Sequence, residues 1–230
     1  MKLLFPSASL ALCFAVFASI SAAADLSGQI VITKKLAKKQ VTLPSYQLRG
    51  ASSAPAPVDS GTINEYADMV VFLEGELPDV EKPVHTELIQ RNQRFEPQLL
   101  VVPAGSTISF PNADPIFHNV FSLSSTKKFD LGYYPEGHTR TVKFDEPGVV
   151  QVYCHLHPNM YAAVVVTPNQ WYTRPADDGS FVLNNVPQGT YQLVAWHTRA
   201  GYFRRAIRVE ADNPPKLVLN IPERALERQQ

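Results

Sequence analysis

The sequence predicts an all-β protein, and three observations carry that prediction. Short runs rich in β-branched residues recur along the chain. They include Gln29-Ile30-Val31-Ile32-Thr33, Met69-Val70-Val71-Phe72-Leu73, Leu99-Leu100-Val101-Val102, Val149-Val150-Gln151-Val152-Tyr153, Ala162-Ala163-Val164-Val165-Val166 and Tyr191-Gln192-Leu193-Val194-Ala195-Trp196. Gly, Pro, Asn and Asp separate these runs at the short intervals typical of strands in a sandwich or barrel. No long stretch repeats apolar residues at helical period.

A chain of 230 residues with 45% hydrophobic content can build one large core or two small ones. Its 21 Lys+Arg are balanced by 21 Asp+Glu. With no basic excess to meet a phosphate backbone, nucleic acid is not an expected partner.

Taken in order, residues 1–24 differ from the rest. Lys2 precedes an apolar run over 3–20, and Ser21-Ala22-Ala23-Ala24 leads to Asp25. A positive start, an apolar middle and small residues before a cleavage point describe a secretory signal peptide. A retained membrane anchor is the competing reading. Pro6, Ser7 and Ser9 interrupt the run, and the Ala-x-Ala site favours cleavage after about Ala24. An exported, periplasmic protein with no integral membrane segment after cleavage is expected. Cleavage removes Cys13 and leaves Cys154 as a lone thiol in an oxidising compartment, where thiols ordinarily pair or oxidise.

Residues 25–82 read as an N-terminal β segment with a long Pro/Ala/Ser-rich loop over 50–60. Its two apolar runs either complete a sandwich with the C-terminal strands or form a small domain. Lys34, Lys35, Lys38 and Lys39 form a basic run, read as a solvated loop. Residues 83–168 form the next domain and hold most of the histidines. Residues 169–222 form a second compact strand-turn series, and 223–230 a charged tail.

The segment Val152-Tyr153-Cys154-His155-Leu156-His157-Pro158-Asn159-Met160 carries the chemistry. A thiolate, an imidazole three residues on and a thioether three further can converge on one ion if a strand ends at the Cys and a tight loop follows. Pro158 and Asn159 suit such a loop. Soft sulfur with imidazole selects copper, and two His, one Cys and a weak axial Met form the donor set of blue-copper electron-transfer sites. The ordinary role of a lone Cys in a β protein is a small buried hydrophobe. Against that stands the placement of one of the two mature-chain methionines at the third position of C-x-x-H-x-x-M. His118 is the candidate for the second imidazole.

Residues 83–168 resemble a cupredoxin of the plastocyanin–amicyanin type. Leu100-Val101-Val102-Pro103-Ala104-Gly105-Ser106-Thr107-Ile108-Ser109-Phe110-Pro111-Asn112 is similar to the early strands of that family, His118-Asn119-Val120 to its upstream ligand segment, and Pro147-Gly148-Val149-Val150-Gln151-Val152-Tyr153-Cys154 to the strand entering its ligand loop. The resemblance implies a Greek-key sandwich and one type 1 copper held by His118, Cys154, His157 and, axially, Met160. It implies that Asn119 ties the two ligand loops together, and that His157, flanked by Leu156, Pro158 and Phe117, serves as the electron port. His155 departs from the pattern; strand alternation turns it away from Cys154 toward solvent, with assistance in copper loading as the alternative. The whole chain is similar to bacterial proteins named methylamine utilization proteins.

Asp177-Asp178-Gly179-Ser180-Phe181-Val182-Leu183-Asn184-Asn185-Val186-Pro187-Gln188-Gly189-Thr190-Tyr191 has a tight Asp-Gly turn and a Val-Pro-x-Gly turn before a strand. It resembles a carboxypeptidase-regulatory-like, transthyretin-like β-sandwich, smaller than the first. Trp171, Tyr172, Trp196 and Tyr202 read as core residues, with stacking on a saccharide as the alternative. His197 reads as an exposed strand residue.

The function expected is electron transfer between periplasmic redox proteins by Cu(I)/Cu(II) cycling. The alternatives are periplasmic copper handling (storage or delivery) and a β-sandwich interaction or carbohydrate-binding module. Enzymatic activity is not expected, because a Cys with nearby His lacks an evident oxyanion hole.

Overall fold

The computed structural model describes residues 23–33, 64–78, 83–210 and 217–221. The basic run at Lys34, Lys35, Lys38 and Lys39, the loop over 50–60, the tail 223–230 and residues 1–22 of the expected signal segment lie outside them. The strands, in order, are β1 (Ala23–Ile32), β2 (Met69–Glu74), β3 (His85–Glu87), β4 (Ile89–Arg91), β5 (Arg94–Glu96), β6 (Leu99–Pro103), β7 (Ser106–Pro111), β8 (His118–Leu123), β9 (Lys128–Tyr134), β10 (Thr139–Phe144), β11 (Gly148–Tyr153) and β12 (Tyr161–Thr167). They continue with β13 (Tyr172–Thr173), β14 (Ser180–Pro187), β15 (Gly189–His197), β16 (Gly201–Val209) and β17 (Leu217–Ile221). Among the described residues the sole helical piece is a 3-10 turn, Glu65–Asp68. The all-β expectation holds.

Of the five sheets among the described residues, four stack in layers and the fifth is the hairpin β4-β5. β10-β7-β3 faces β6-β12-β11-β8-β9, and β13-β2-β15-β16 faces β14-β1-β17. Ile108, Phe110 and Phe144 of the first sheet meet Val120, Val150, Val152, Ala162, Val164 and Val166 of the second in one buried core. Leu26, Ile30, Leu183, Leu217 and Leu219 meet Val71, Leu73, Leu193 and Ile207 in another. A third apolar layer joins the two sandwiches: Leu99, Ala163 and Val165 pack against Val70, Phe72, Val194 and Trp196.

This layering explains a feature of the sequence. β2, β12 and much of β15 read as unbroken apolar runs because both of their faces are covered. In β12, Ala162, Val164 and Val166 point into one core while Ala163 and Val165 point into the joining layer.

The N-terminal strands complete the second sandwich. β1 lies between β14 (antiparallel) and β17 (parallel), and β2 between β13 and β15. Of the two possibilities open from sequence, this pairing is completion of the C-terminal sandwich. The Ala24–Asp25 bond, where cleavage is expected, lies inside β1, with Ala24 opposite Val186.

The Asp-Gly turn depends on Gly179. Its φ is +83°, and a Cβ there would collide with the Ile30 carbonyl oxygen. The chain comes that close because the Ile30 N–H donates to the Gly179 carbonyl at 2.8 Å. The Val-Pro-x-Gly turn carries the chain from β14 in the outer sheet to β15 in the inner one.

Candidate metal centre

Cys154 follows the last residue of β11, and the loop after it is closed by two main-chain hydrogen bonds. The Cys154 N–H donates to the Met160 carbonyl at 3.2 Å, and the Met160 N–H to the His157 carbonyl at 2.9 Å. β12 then begins at Tyr161, opposite Tyr153. The three-residue spacing therefore turns His157 back over Cys154. His118 enters from the start of the neighbouring strand β8, which pairs with β11 at Phe121 and Tyr153.

His118, Cys154 and His157 meet at one end of the first core. The two Nδ1 atoms lie 3.1 Å apart, and Sγ of Cys154 lies 3.9 Å from that of His118 and 3.7 Å from that of His157. His118 is fully buried and Cys154 nearly so, while His157 is partly exposed. Donor–metal bonds of about 2.0 Å to nitrogen and about 2.3 Å to sulfur would fit this triangle. Two imidazoles and a thiolate are a donor set that would suit copper. Met160 is buried in the same core as Cys154.

The protonation of the imidazoles suits this role. His118 Nε2 lies 2.8 Å from Oδ2 of Asp114, so Nε2 carries the proton and Nδ1 is left as an acceptor toward the cluster. Burial raises the Asp114 pKa, but the Gln93 N–H, His118 and the Asn92 N–H outweigh it and hold the carboxyl below its ordinary value. Burial and then the neighbouring His118 lower the His157 pKa, with Asp114 opposing. His157 accordingly favours the neutral form that can ligate a metal.

The rim is apolar. Ile116, Phe117 and Leu156 are exposed large hydrophobics, and Pro158 is exposed beside them in sequence. His155 faces solvent: its ring stacks on Phe121 with centroids 3.8 Å apart and planes at 4°, and its Nε2 lies 3.8 Å from Oδ2 of Asp130.

Three sequence expectations are corrected or narrowed. The Asn119 amide does not tie the ligand loops together; it donates to Oδ1 of Asp130 on β9 at 2.7 Å. The Asp130 carboxylate captures it because that same oxygen already accepts the Gly132 N–H, which fixes it beside β8. His197 is fully buried rather than exposed, since the chain folds the Glu65 turn over it. Trp171 and Trp196 are buried as core residues, Tyr172 is half-buried, and Tyr202 is exposed and stacks edge-on to Trp196.

Sequence reading passed over Asp114. The signal was present, because a carboxylate four residues before a ligand His, in Pro111-Asn112-Ala113-Asp114-Pro115, can reach the far ring nitrogen once a turn brings it back. Asn112 makes that turn: its Oδ1 accepts the Asp114 N–H at 2.9 Å, and its Nδ2 donates to the Ile116 carbonyl at 2.8 Å.

Residues 83–167 match the family described as copper binding proteins, plastocyanin/azurin family. This part of the chain is a copper-binding domain of that kind, and its His-Cys-His group can hold a single copper ion. No curated protein matches the chain. Among solved structures, a purple cupredoxin from Nitrosopumilus maritimus is 26% identical, with 36% of this chain and 99% of that one covered and a TM-score of 0.32. Amicyanin from Paracoccus versutus is 19% identical, with 42% and 96% covered and a TM-score of 0.33. A copper-containing nitrite reductase from Thermus scotoductus SA-01 is 22% identical, with 37% and 23% covered and a TM-score of 0.35.

Proposed function

We propose that this chain is an exported type 1 copper protein that carries electrons between periplasmic redox partners. His118, Cys154, His157 and Met160 would hold the copper. The observation that supports the reading best is a buried thiol 3.9 Å and 3.7 Å from two imidazole nitrogens. Bound copper would supply a one-electron Cu(I)/Cu(II) couple, with the soft sulfur donors favouring Cu(I).

The residues divide the work. β8 holds His118 in the sheet, Cys154 follows directly on the end of β11, and the main-chain bonds of the 154–160 loop hold His157 against them, so the donors have little room to move. Asp114 blocks rotation of His118. His157, the partly exposed ligand, meets the partner, and the rim of Ile116, Phe117, Leu156 and Pro158 suits brief, weak docking. The flanking sandwich, read as transthyretin-like, is a scaffold for this site.

Titration of the purified protein with Cu(II) tests the reading. An intense thiolate–copper absorption, bleached by ascorbate and lost in Cys154→Ser, is expected. A colourless copper complex overturns it. The half-exposed His155 beside Asp130 favours a second reading, copper handling, in which the imidazole assists loading. Slow electron self-exchange with ready transfer of Cu(I) to a chelator, impaired in His155→Ala, would favour that reading.

A further inference from the structure

The hairpin β4–β5 contains an arrangement that the electron-carrier reading leaves unused. Its two-residue turn places Asn92 and Gln93 both in the left-handed region, at φ 53° and 56°. Two-residue hairpin loops with positive φ at both positions match the strand twist, but side chains resist that conformation. Here the conformation aims two consecutive N–H groups at one carboxylate. The Asn92 N–H donates to Oδ1 of Asp114 at 2.6 Å, and the Gln93 N–H to Oδ2 at 2.8 Å.

The same Oδ2 accepts Nε2–H of His118 at 2.8 Å. Asp114 is 6% exposed and His118 fully buried. The carboxylate is thus fixed by three donors, and its charge sits behind the imidazole, across the ring from the nitrogen that faces Cys154. A fixed negative charge in a poorly screened site stabilises the more positive of two metal states. A carboxylate behind a ligating imidazole also fixes its tautomer and raises its basicity.

We propose that Asp114, clamped by the Asn92–Gln93 turn, is a positioning residue that holds His118 with Nδ1 free to ligate and biases the bound metal toward its oxidised state. The first half stands on this chain alone; the second rests on the copper reading.

The full chain with Asp114→Asn tests both halves. An amide cannot accept from both backbone N–H groups and from His118 without turning its NH₂ toward a donor. In the metal-free protein, nitrogen-15 NMR should show His118 protonated at Nε2 in the wild type and as a tautomer mixture in the variant. An unchanged tautomer overturns the positioning role. In the copper-loaded protein, the Cu(II):Cu(I) ratio at a fixed solution potential should fall at least tenfold, about 59 mV for a one-electron couple. The thiolate–copper absorption should persist, and Asp114→Glu, which keeps the charge, should return the ratio toward the wild-type value.

A change under threefold, or an equal one in Asp114→Glu, overturns the charge bias. Should the amide prevent folding, Asp114→Ser replaces it as a small neutral variant. If the wild type gives no coloured copper complex, the copper reading fails and the charge bias falls with it, while the tautomer still decides the positioning role.

Discussion

His197 and Glu65 meet inside the second sandwich, with Nε2 of one 3.1 Å from Oε2 of the other. Nδ1 of the same ring accepts the N–H groups of Arg199 at 3.1 Å and Ala200 at 3.2 Å, holding the β15–β16 turn. Both ring nitrogens are therefore committed in the neutral form, and a second proton at Nδ1 would break two bonds. Arg199 and Asp68 are the other charged groups at the site.

Acid should loosen this turn. Burial lowers the His197 pKa below its ordinary 6.5; Glu65 opposes this and Arg199 reinforces it. As pH falls through about 6.5 the unfolded chain takes up a proton that the folded ring refuses, so stability is lost toward the lowered folded value. In the metal-free protein, urea midpoints should fall between pH 7.5 and 5.5. His197→Gln should cost about 1–3 kcal/mol at pH 7.5 through unpaired donors and show a flatter pH dependence. An equally steep dependence in His197→Gln would discard the assignment.

The layer joining the sandwiches yields a second prediction. Phe72 is nearly fully buried there among Leu99, Val165 and Trp196. Phe72→Ala should cost about 3–5 kcal/mol by lost burial and cavity formation. Because the lost contacts bridge two cores, calorimetry should show one wild-type transition separating into two. A single transition in the variant would mean that this layer does not couple the sandwiches.

Much of this was legible in advance. The runs at 69–73, 162–166 and 193–196 are unbroken because two covered faces leave no position for a polar residue, and they mark strands clearly. Cys154 and His157, which the structure brings together, are readable because one loop carries them at fixed spacing. Asp114 escaped because its effect depends on the Asn92–Gln93 turn, whose left-handed backbone has no glycine to announce it. His197 escaped because its cover comes from Glu65, 132 residues away, and strand alternation says nothing about what another segment lays over a strand end.

Gly179 offers a test of the backbone argument. Gly179→Ala would strain a residue at φ +83° and push a methyl group into the Ile30 carbonyl oxygen. The main-chain bond between β1 and this turn would have to open. A loss of about 2 kcal/mol or more is expected, read from the urea midpoint. Gly137→Ala, with a similar positive φ but nothing within 4 Å of the added carbon, should cost less than half as much. Equal losses would show that close approach contributes nothing.

The unequal exposure of the two imidazoles bears on the proposed copper site. His157 is partly exposed on its loop, so His157→Gly should leave a gap open to solvent, and free imidazole should enter it and restore the thiolate–copper absorption. His118 is fully buried with Asp114 behind it. His118→Gly should leave an enclosed space and a buried carboxylate short of one of its three donors, a loss of about 1–3 kcal/mol for the unmet hydrogen bond. Restoration of the His118→Gly absorption should need at least tenfold more imidazole, measured by titration at fixed copper. Equal rescue of the two variants would contradict the assignment of His157 as the ligand that meets solvent and partner.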